Sequence, residues 1–453
     1  MSVRGIEGAL HVLKAAREGR FASEVLRGLG ERLEPPDLTL ASTLAYAALR
    51  RLELWQALYE GFLRDGGKKG GKGREVRKGP GLPSEVVDCL TLGTAGLLEL
   101  RHFAVGPLVN GLLDLLKASG KARFVPLANA VLRRVGEEGA ARAEAFRRSP
   151  KLEERCLWGG VPVWSLPAWS KTWKRPELLE LFELMRLPPA SSLRVLPAER
   201  EAMLRELSAA GLEAVPSPDL PGGIRLPSTA LPTALPGFDS GRVTAQSEGS
   251  MRVASLVAEQ WRGGLILDLC AGRGVKTGQI AQTLPEARIE GWELSRGRHA
   301  AARREMERLK LSGRVRLRLG DSLQLTPPEP PTLILLDAPC SGSGTWNRKP
   351  ESKWRLNWRT FDNLVALQRR LLQRALDIAA PGGIIVYATC SLLRQENENV
   401  VADVLSERPD CFELPVTWGC ELRRGRPWGT YLWPLTPWED GFYCSIITKR
   451  TGA

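Results

Sequence analysis

From about residue 245 onward, short apolar runs alternate with helix-length segments: Leu265 to Leu269, Ala287 to Glu293, Val315 to Gly320, Thr332 to Leu336 and Ile384 to Ala388. Strands joined by helix-length chain pair in parallel through crossovers, and an unbroken apolar run suits a strand covered on both faces. The alternation predicts a doubly wound parallel α/β sheet over residues 246–453. Sheets of this kind bind ligands in the crevice at the carboxyl ends of their strands. Candidate chemistry is therefore sought at those ends.

The chain ahead of this pattern reads differently. Leu44, Ala48, Leu52, Trp55, Tyr59 and Phe62 recur every three or four positions, the spacing of a buried helix face, so residues 1–148 are expected to form an all-α bundle. Residues 149–245 are rich in Pro and Trp. Apolar runs at Leu193 to Leu196 and Gly223 to Leu226 flank a helix-like stretch, Ala198 to Ala210, which predicts a small α/β connector. Between two helices of the bundle lies Gly66 to Pro80, with six Lys or Arg against one Glu. Two readings fit it, a mobile surface loop or an arm that grips phosphates.

With 43% hydrophobic and 25% charged residues, the composition is that of a soluble globular protein. No apolar run approaches the ~18 residues of a membrane span, and the first twenty residues lack the apolar stretch of a secretory signal, so a cytoplasmic location is expected. The net charge of +13 favours a polyanionic partner. Cysteines at 89, 156, 270, 340, 390, 411, 420 and 444 include no Cys-x-x-Cys pair, and the histidines at 11, 102 and 299 are scattered. Reduced thiols and no metal site are the expectation. No heptad seam is apparent, and a monomer is expected.

The first strand runs into Asp268-Leu-Cys270-Ala271-Gly272-Arg273-Gly274-Val275-Lys276-Thr277. Glycines let backbone approach a ligand, and the helix that follows offers unpaired N–H groups. Glu293 ends the second strand, where a carboxylate can accept the ribose hydroxyls of a nucleoside, and Asp321 follows the third at the place of an adenine contact. The fourth strand ends at Asp337-Ala-Pro339-Cys340 and the fifth at Ala388-Thr389-Cys390. A cysteine in a strand is most often a buried structural thiol. Two at the same rim of a nucleoside-binding domain fit that account poorly, although sequence does not distinguish their roles.

Asp337-Ala-Pro-Cys340-Ser-Gly-Ser-Gly344 and Ala388-Thr-Cys390-Ser391, followed by Arg394-Gln-Glu396-Asn-Glu-Asn-Val400, resemble the Sun/NOL1/NOP2 family of RNA cytosine-5 methyltransferases. The likeness extends over residues 235–448, taking in Arg348 to Trp354, Leu367 to Leu372, Pro381 to Gly383 and Asp440 to Tyr443. Ala47-Ala-Leu-Arg50 and Asn129-Ala-Val-Leu-Arg133 are similar to the NusB-like RNA-binding domain of the bacterial branch that methylates small-subunit ribosomal RNA. Gly272-Arg273-Gly274-Val275-Lys276-Thr277 stands where the family usually has Ala-Pro-Gly-Gly-Lys-Thr.

The resemblance implies a Rossmann-like domain that binds S-adenosylmethionine through residues 270–276, Glu293, Asp321 and Asp337, with RNA, 16S rRNA in particular, as partner. Carbon 5 of cytosine is too weak a nucleophile to take a methyl group unaided, so a thiolate must first add to carbon 6. By resemblance Cys390 is that nucleophile, Cys340 is needed for release, and Asp337 holds the cytosine's polar edge. A thiol of pKa about 8.5 needs help to ionise, for which Lys276 is a candidate. Trp346, Arg348 and Trp354 could assist an extruded base or simply pack in a core. A non-catalytic ribosome-assembly factor that keeps the fold is the alternative reading. DNA cytosine methylation is a third, which the Thr-Cys-Ser element and the helical N-terminal part disfavour.

Overall fold

The structure, a computed structural model, describes residues 2–66, 81–100, 105–227, 234–416, 422–423, 429–434 and 436–451. The basic segment after Gly66, His102 and Cys420 lie outside the described residues. Two compact units divide the chain: residues 1–187 with 346–357, and residues 188–345 with 358–453.

The first unit is helical. Leu44, Ala48, Trp55, Tyr59 and Phe62 are all buried in its core and Leu52 packs against it, as their spacing predicts. Helices also fill the chain that the composition assigned to the connector, at Leu152–Gly159, Leu166–Thr172 and Arg175–Met185. The prolines of the last two sit in the first turn, where a missing N–H costs nothing. Within this unit Trp346 is fully buried, its ring edge-on to that of Trp169 at 5.9 Å. Trp354 Nε1 donates to the carbonyl of Leu49 at 2.6 Å, and the fully buried Lys353 donates to that of Arg50 at 2.7 Å. Of the two readings open for these tryptophans, packing is the one seen.

The second unit holds two sheets. The smaller is antiparallel, with strands in the order Val215–Pro216, Gly223–Leu226, Ser191–Arg194 and Thr244–Ala245. Helix Arg200–Ala209 covers it through Met203 and Leu207. Arg225 ties this sheet to the helix Glu248–Gln260 with a two-pronged bond to Glu248, at 2.6 and 2.7 Å.

The larger sheet carries the candidate site. Its strands are β1 (Leu265–Asp268), β2 (Arg288–Glu293), β3 (Val315–Leu319), β4 (Leu333–Asp337), β5 (Ile384–Thr389), β6 (Cys411–Leu414), β7 (Leu422–Arg423), β8 (Thr430–Leu432) and β9 (Phe442–Lys449). Strands β3, β2, β1, β4 and β5 lie side by side in parallel. Helices α1 (Val275–Thr283), α2 (Arg296–Arg308), α3 (Trp358–Ile378) and α4 (Glu398–Ser406) alternate with them. All of β1 and the first four residues of β4 are buried, the reason these strands read as unbroken apolar runs.

The sheet is not parallel throughout. Strand β9 pairs antiparallel with β5 and carries β6 and β8 beyond it, also antiparallel. Only nine residues separate β8 from β9, fewer than the dozen or so a parallel crossover needs. Chain order reverses between β1 and β4, so the crevice opens beside their carboxyl ends.

Candidate active site

Strand β1 ends at Asp268 and the chain turns through Cys270 to Gly274 before α1 begins at Val275. Gly274 caps that helix with φ +81°, a conformation that L side chains rarely adopt. A Cβ there would also press on Met306 and Ala302 of α2, at 3.1 and 3.3 Å. Ala271 N donates to Trp292 O at 2.9 Å, and Ser322 Oγ donates to Leu269 O at 2.5 Å. These bonds knit the ends of β1, β2 and β3 into one rim.

Along that rim Glu293 ends β2, its Oε1 accepting from Ser295 N at 2.7 Å and pairing with Arg298 at 2.9 Å. Asp321 follows β3 and accepts from Leu323 N at 3.0 Å. The turn of residues 270–275 therefore has carboxylates beside it at successive strand ends, while the space beyond Gly272 is clear to 3.9 Å. Acceptors of this kind suit the hydroxyls and amino groups of a nucleoside, so the residues present fit such a cofactor.

At the switch point Lys276, in the first turn of α1, reaches Asp337 at the end of β4, with Nζ to Oδ2 at 2.7 Å. Burial works against the Lys276 ammonium, but the charge and hydrogen bond of Asp337, and the neighbouring Cys390, outweigh it and raise its pKa. Lys276 is thus committed first to the carboxylate.

The register of β4 against β5 sets Asp337 opposite Ala388. Three residues beyond the first and two beyond the second, Cys340 and Cys390 meet with their sulfurs 3.4 Å apart. The two loops are locked together: Gly344 N donates to Cys390 O, and Gly441 N donates to Gly344 O, each at 2.9 Å. A Cβ on Gly344 would lie 2.2 Å from Gly441 O, so no larger residue fits. The hydrogen bond to Cys390, then burial, then the charges of Cys390 and Glu396 hold Cys340 protonated well above the ordinary thiol range. Cys270 is held protonated too, by burial and the surrounding carboxylates.

The structure thus brings Lys276, Asp337, Cys340 and Cys390 together and sets Cys270 to Val275, Glu293 and Asp321 along the adjoining rim. Sequence reasoning assigned no part to Asn397 and Thr389, which brace the Cys390 loop. Asn397 Nδ2 donates to Ser391 O at 2.9 Å, and Thr389 Oγ1 donates to Asn397 Oδ1 at 2.6 Å. The polar run from Arg394 to Asn399 was the available signal, since buried polar groups need partners. Among the described residues no group of three His, Cys, Asp or Glu could hold a metal ion, and no helix is long and apolar enough to cross a membrane.

Residues 255–448 match the family described as 16S rRNA methyltransferase RsmB/F. The ribosomal RNA small subunit methyltransferase B of Klebsiella pneumoniae (strain 342) is 31% identical to this chain over 451 residues, covering 96% of the chain and 95% of the relative. The chain belongs to the RsmB/F family of 16S rRNA methyltransferases. This methyltransferase is also 29% identical over 436 residues to a probable counterpart in Synechocystis sp., with 92% of each covered. The crystal structure of PH0851 shares its fold over 99% of both chains, with a TM-score of 0.78 at 20% identity. A methyltransferase homolog from Pyrococcus horikoshii, 26% identical, superposes with a TM-score of 0.56 over 66% of this chain and 99% of its own.

One carboxyl of the methyltransferase has a testable pH signature. Asp268 is buried beneath the turn and accepts from Thr277 Oγ1 at 2.6 Å and Cys270 N at 3.2 Å. Burial pushes it up to about 6, against the bond from Thr277 and with added repulsion from Asp337. An unfolded chain ionises aspartate near pH 4, roughly, so between about pH 4 and 6 the native state binds more protons and stability falls as pH rises. The cost is fully present above about pH 6 and reaches about 3 kcal/mol. Asp268→Asn is expected to flatten that slope in urea midpoints measured from pH 4 to 7. An unaltered slope would place the titration elsewhere.

Proposed function

We propose that this protein transfers a methyl group from S-adenosylmethionine to carbon 5 of a cytosine in small-subunit ribosomal RNA, through a covalent bond from Cys390 to carbon 6. The observation that carries this reading is the pair of sulfurs 3.4 Å apart at the strand ends that also hold the Lys276–Asp337 pair. The RNA follows from the relatives, which are named for that substrate, and from the net charge of +13.

S-adenosylmethionine, when bound, supplies an electrophilic methyl group. Glu293 would accept its ribose hydroxyls, Asp321 would meet its adenine, and the turn of residues 270–275 would approach it with backbone. Asp337 faces the cytosine's exocyclic amino group and ring nitrogen. Cys390 adds to carbon 6, and the double-bond electrons shift toward carbon 5, which becomes nucleophilic. The neighbouring Cys390, burial and Glu396 favour the protonated form of Cys340, which leaves Cys390 as the sulfur to act as thiolate.

Once Cys390 is bonded to carbon, that charge is gone and Cys340 loses the partner that held its proton. Cys340 can then give its proton to water and, as the thiolate, take the carbon 5 proton. The electrons of the broken C–H bond re-form the double bond between carbons 5 and 6 as Cys390 leaves as thiolate. A second group is needed because the nucleophile, being bonded, is unable to act as its own base, and Cys340 is the neighbour within reach.

The test is RNA transcribed with cytidine tritiated at carbon 5. Release of tritium to water that depends on S-adenosylmethionine, one per methyl group transferred, is the expected result. Methyl transfer without tritium release would move the reaction to another atom.

A further inference from the structure

The segment Arg394 to Val400 holds a buried carboxylate to which the chemistry above gives no part. Glu396 is fully buried. Its Oε1 accepts from Ser341 N at 2.7 Å and Gln368 Nε2 at 2.9 Å, and its Oε2 accepts from Ser341 Oγ at 2.5 Å. Gln368, fully buried on α3, gives its other N–H to the carbonyl of Pro339 at 2.9 Å. The residues on both sides of Cys340 are therefore fastened, one to α3 and the other to the turn that follows β5, while the Cys340 sulfur meets Cys390 at 3.4 Å.

A carboxylate in a core costs several kcal/mol unless donors satisfy it, and an apolar filler of the same volume would serve packing as well or better. The donors that meet the Glu396 carboxylate come from the residue after Cys340 and from the side chain that also holds the residue before it, joined by the hydroxyl of Ser391, the residue after Cys390. Tyr387, on β5, anchors the clamp from behind by donating to the Glu396 carbonyl at 2.6 Å. Charge-assisted bonds of this kind fix a loop more firmly than neutral ones.

We propose that Glu396 and Gln368 are positioning residues that hold the Cys340 loop so that its sulfur can take the proton from carbon 5. The inference rests on the reading of Cys340 as the residue that releases the methylated product. Proton transfer needs donor and acceptor within hydrogen-bond reach, and a displacement of about 1 Å costs on the order of 10²-fold in rate. Methyl transfer itself depends on Cys390, whose loop has braces of its own in Asn397 and Thr389 besides its bonds to the Cys340 loop. Loosening the Glu396 clamp should therefore slow release far more than the first methyl transfer.

The experiment uses the full-length protein and small-subunit rRNA from cells that lack it. Glu396→Ala and Gln368→Leu are expected to methylate in a single turnover, to accumulate protein–RNA adduct on a denaturing gel, and to lose about 10²-fold in kcat with KM held. Glu396→Gln keeps an oxygen for the two N–H donors and an amide for Ser341 Oγ, and should return turnover to near the wild-type value. Losses shared equally by single and multiple turnover, without adduct, overturn the proposal. So does a Glu396→Gln protein no better than Glu396→Ala.

Cys340→Ala run alongside separates the two levels of inference. If it traps adduct and the Glu396 and Gln368 variants do not, the positioning role falls alone. If it traps none, the reading of Cys340 falls and takes the positioning role with it. Gln368→Leu alters a different element, so a Glu396→Ala chain that fails to fold leaves the test intact.

Discussion

Methylation of small-subunit rRNA is expected to fall to background in protein carrying Cys390→Ala, by on the order of 10⁶-fold if it behaves as other covalent nucleophiles do. Cys340→Ala is expected to do something different: one methyl group is transferred per protein and the RNA then stays attached, giving a band of increased mass on a denaturing gel. The two sulfurs are only 3.4 Å apart, so overall geometry gives little reason for unlike phenotypes. The difference lies in proton ownership. Cys340 is held protonated by its bond to Cys390, by burial and by the charges of Cys390 and Glu396. A protonated thiol is a poor nucleophile, and once its neighbour is alkylated and it has lost that proton to water, its thiolate is a competent base. The reverse pattern, with adduct in Cys390→Ala and none in Cys340→Ala, would exchange the two roles.

Asp337→Ala should be the second most damaging change, and on stability as well as activity. It strips the partner at 2.7 Å from Lys276, and because the two side chains are 13% and 28% exposed the loss falls below the cost for a fully buried pair, at about 2 kcal/mol. Removing both charges together, as Lys276→Met with Asp337→Leu, is expected to recover most of that stability because no uncompensated ion remains. Activity is expected to stay lost in the double variant, since the carboxylate proposed to face the cytosine is still missing. Denaturant midpoints and methylation rates measured on the two single variants and the double variant check both halves. A double variant as unstable as Asp337→Ala would show that the pair is not the source of the cost.

Much of the candidate site could be read from residue order. The parallel strands fall within a residue or so of their apolar runs, and Glu293, Asp337, Cys340 and Cys390 stand where strand ends demand. The antiparallel β9 was missed, because an apolar run such as Phe442 to Ile447 carries no mark of its direction. The tryptophans at 346 and 354 were ambiguous for a related reason. Amphipathic rings suit a base-binding rim and a core alike, and burial alone decides between them.

What the chain determined by itself is periodic or local: a helical unit from spacing near 3.6, a parallel sheet from apolar runs separated by helix-length chain, and a crevice at the strand ends where acidic residues and cysteines follow the runs. Such features survive in one dimension because each depends on neighbours a few positions away. Tertiary structure alone decided that the two thiols meet, which lysine meets which carboxylate, and that Gln368 and Glu396 grip the loop of Cys340. Those outcomes join residues 28 to 61 positions apart in the chain. They depend on distances of a few ångströms and on the removal of water, to which charge and hydrogen-bond energies respond most steeply and of which residue order carries no record.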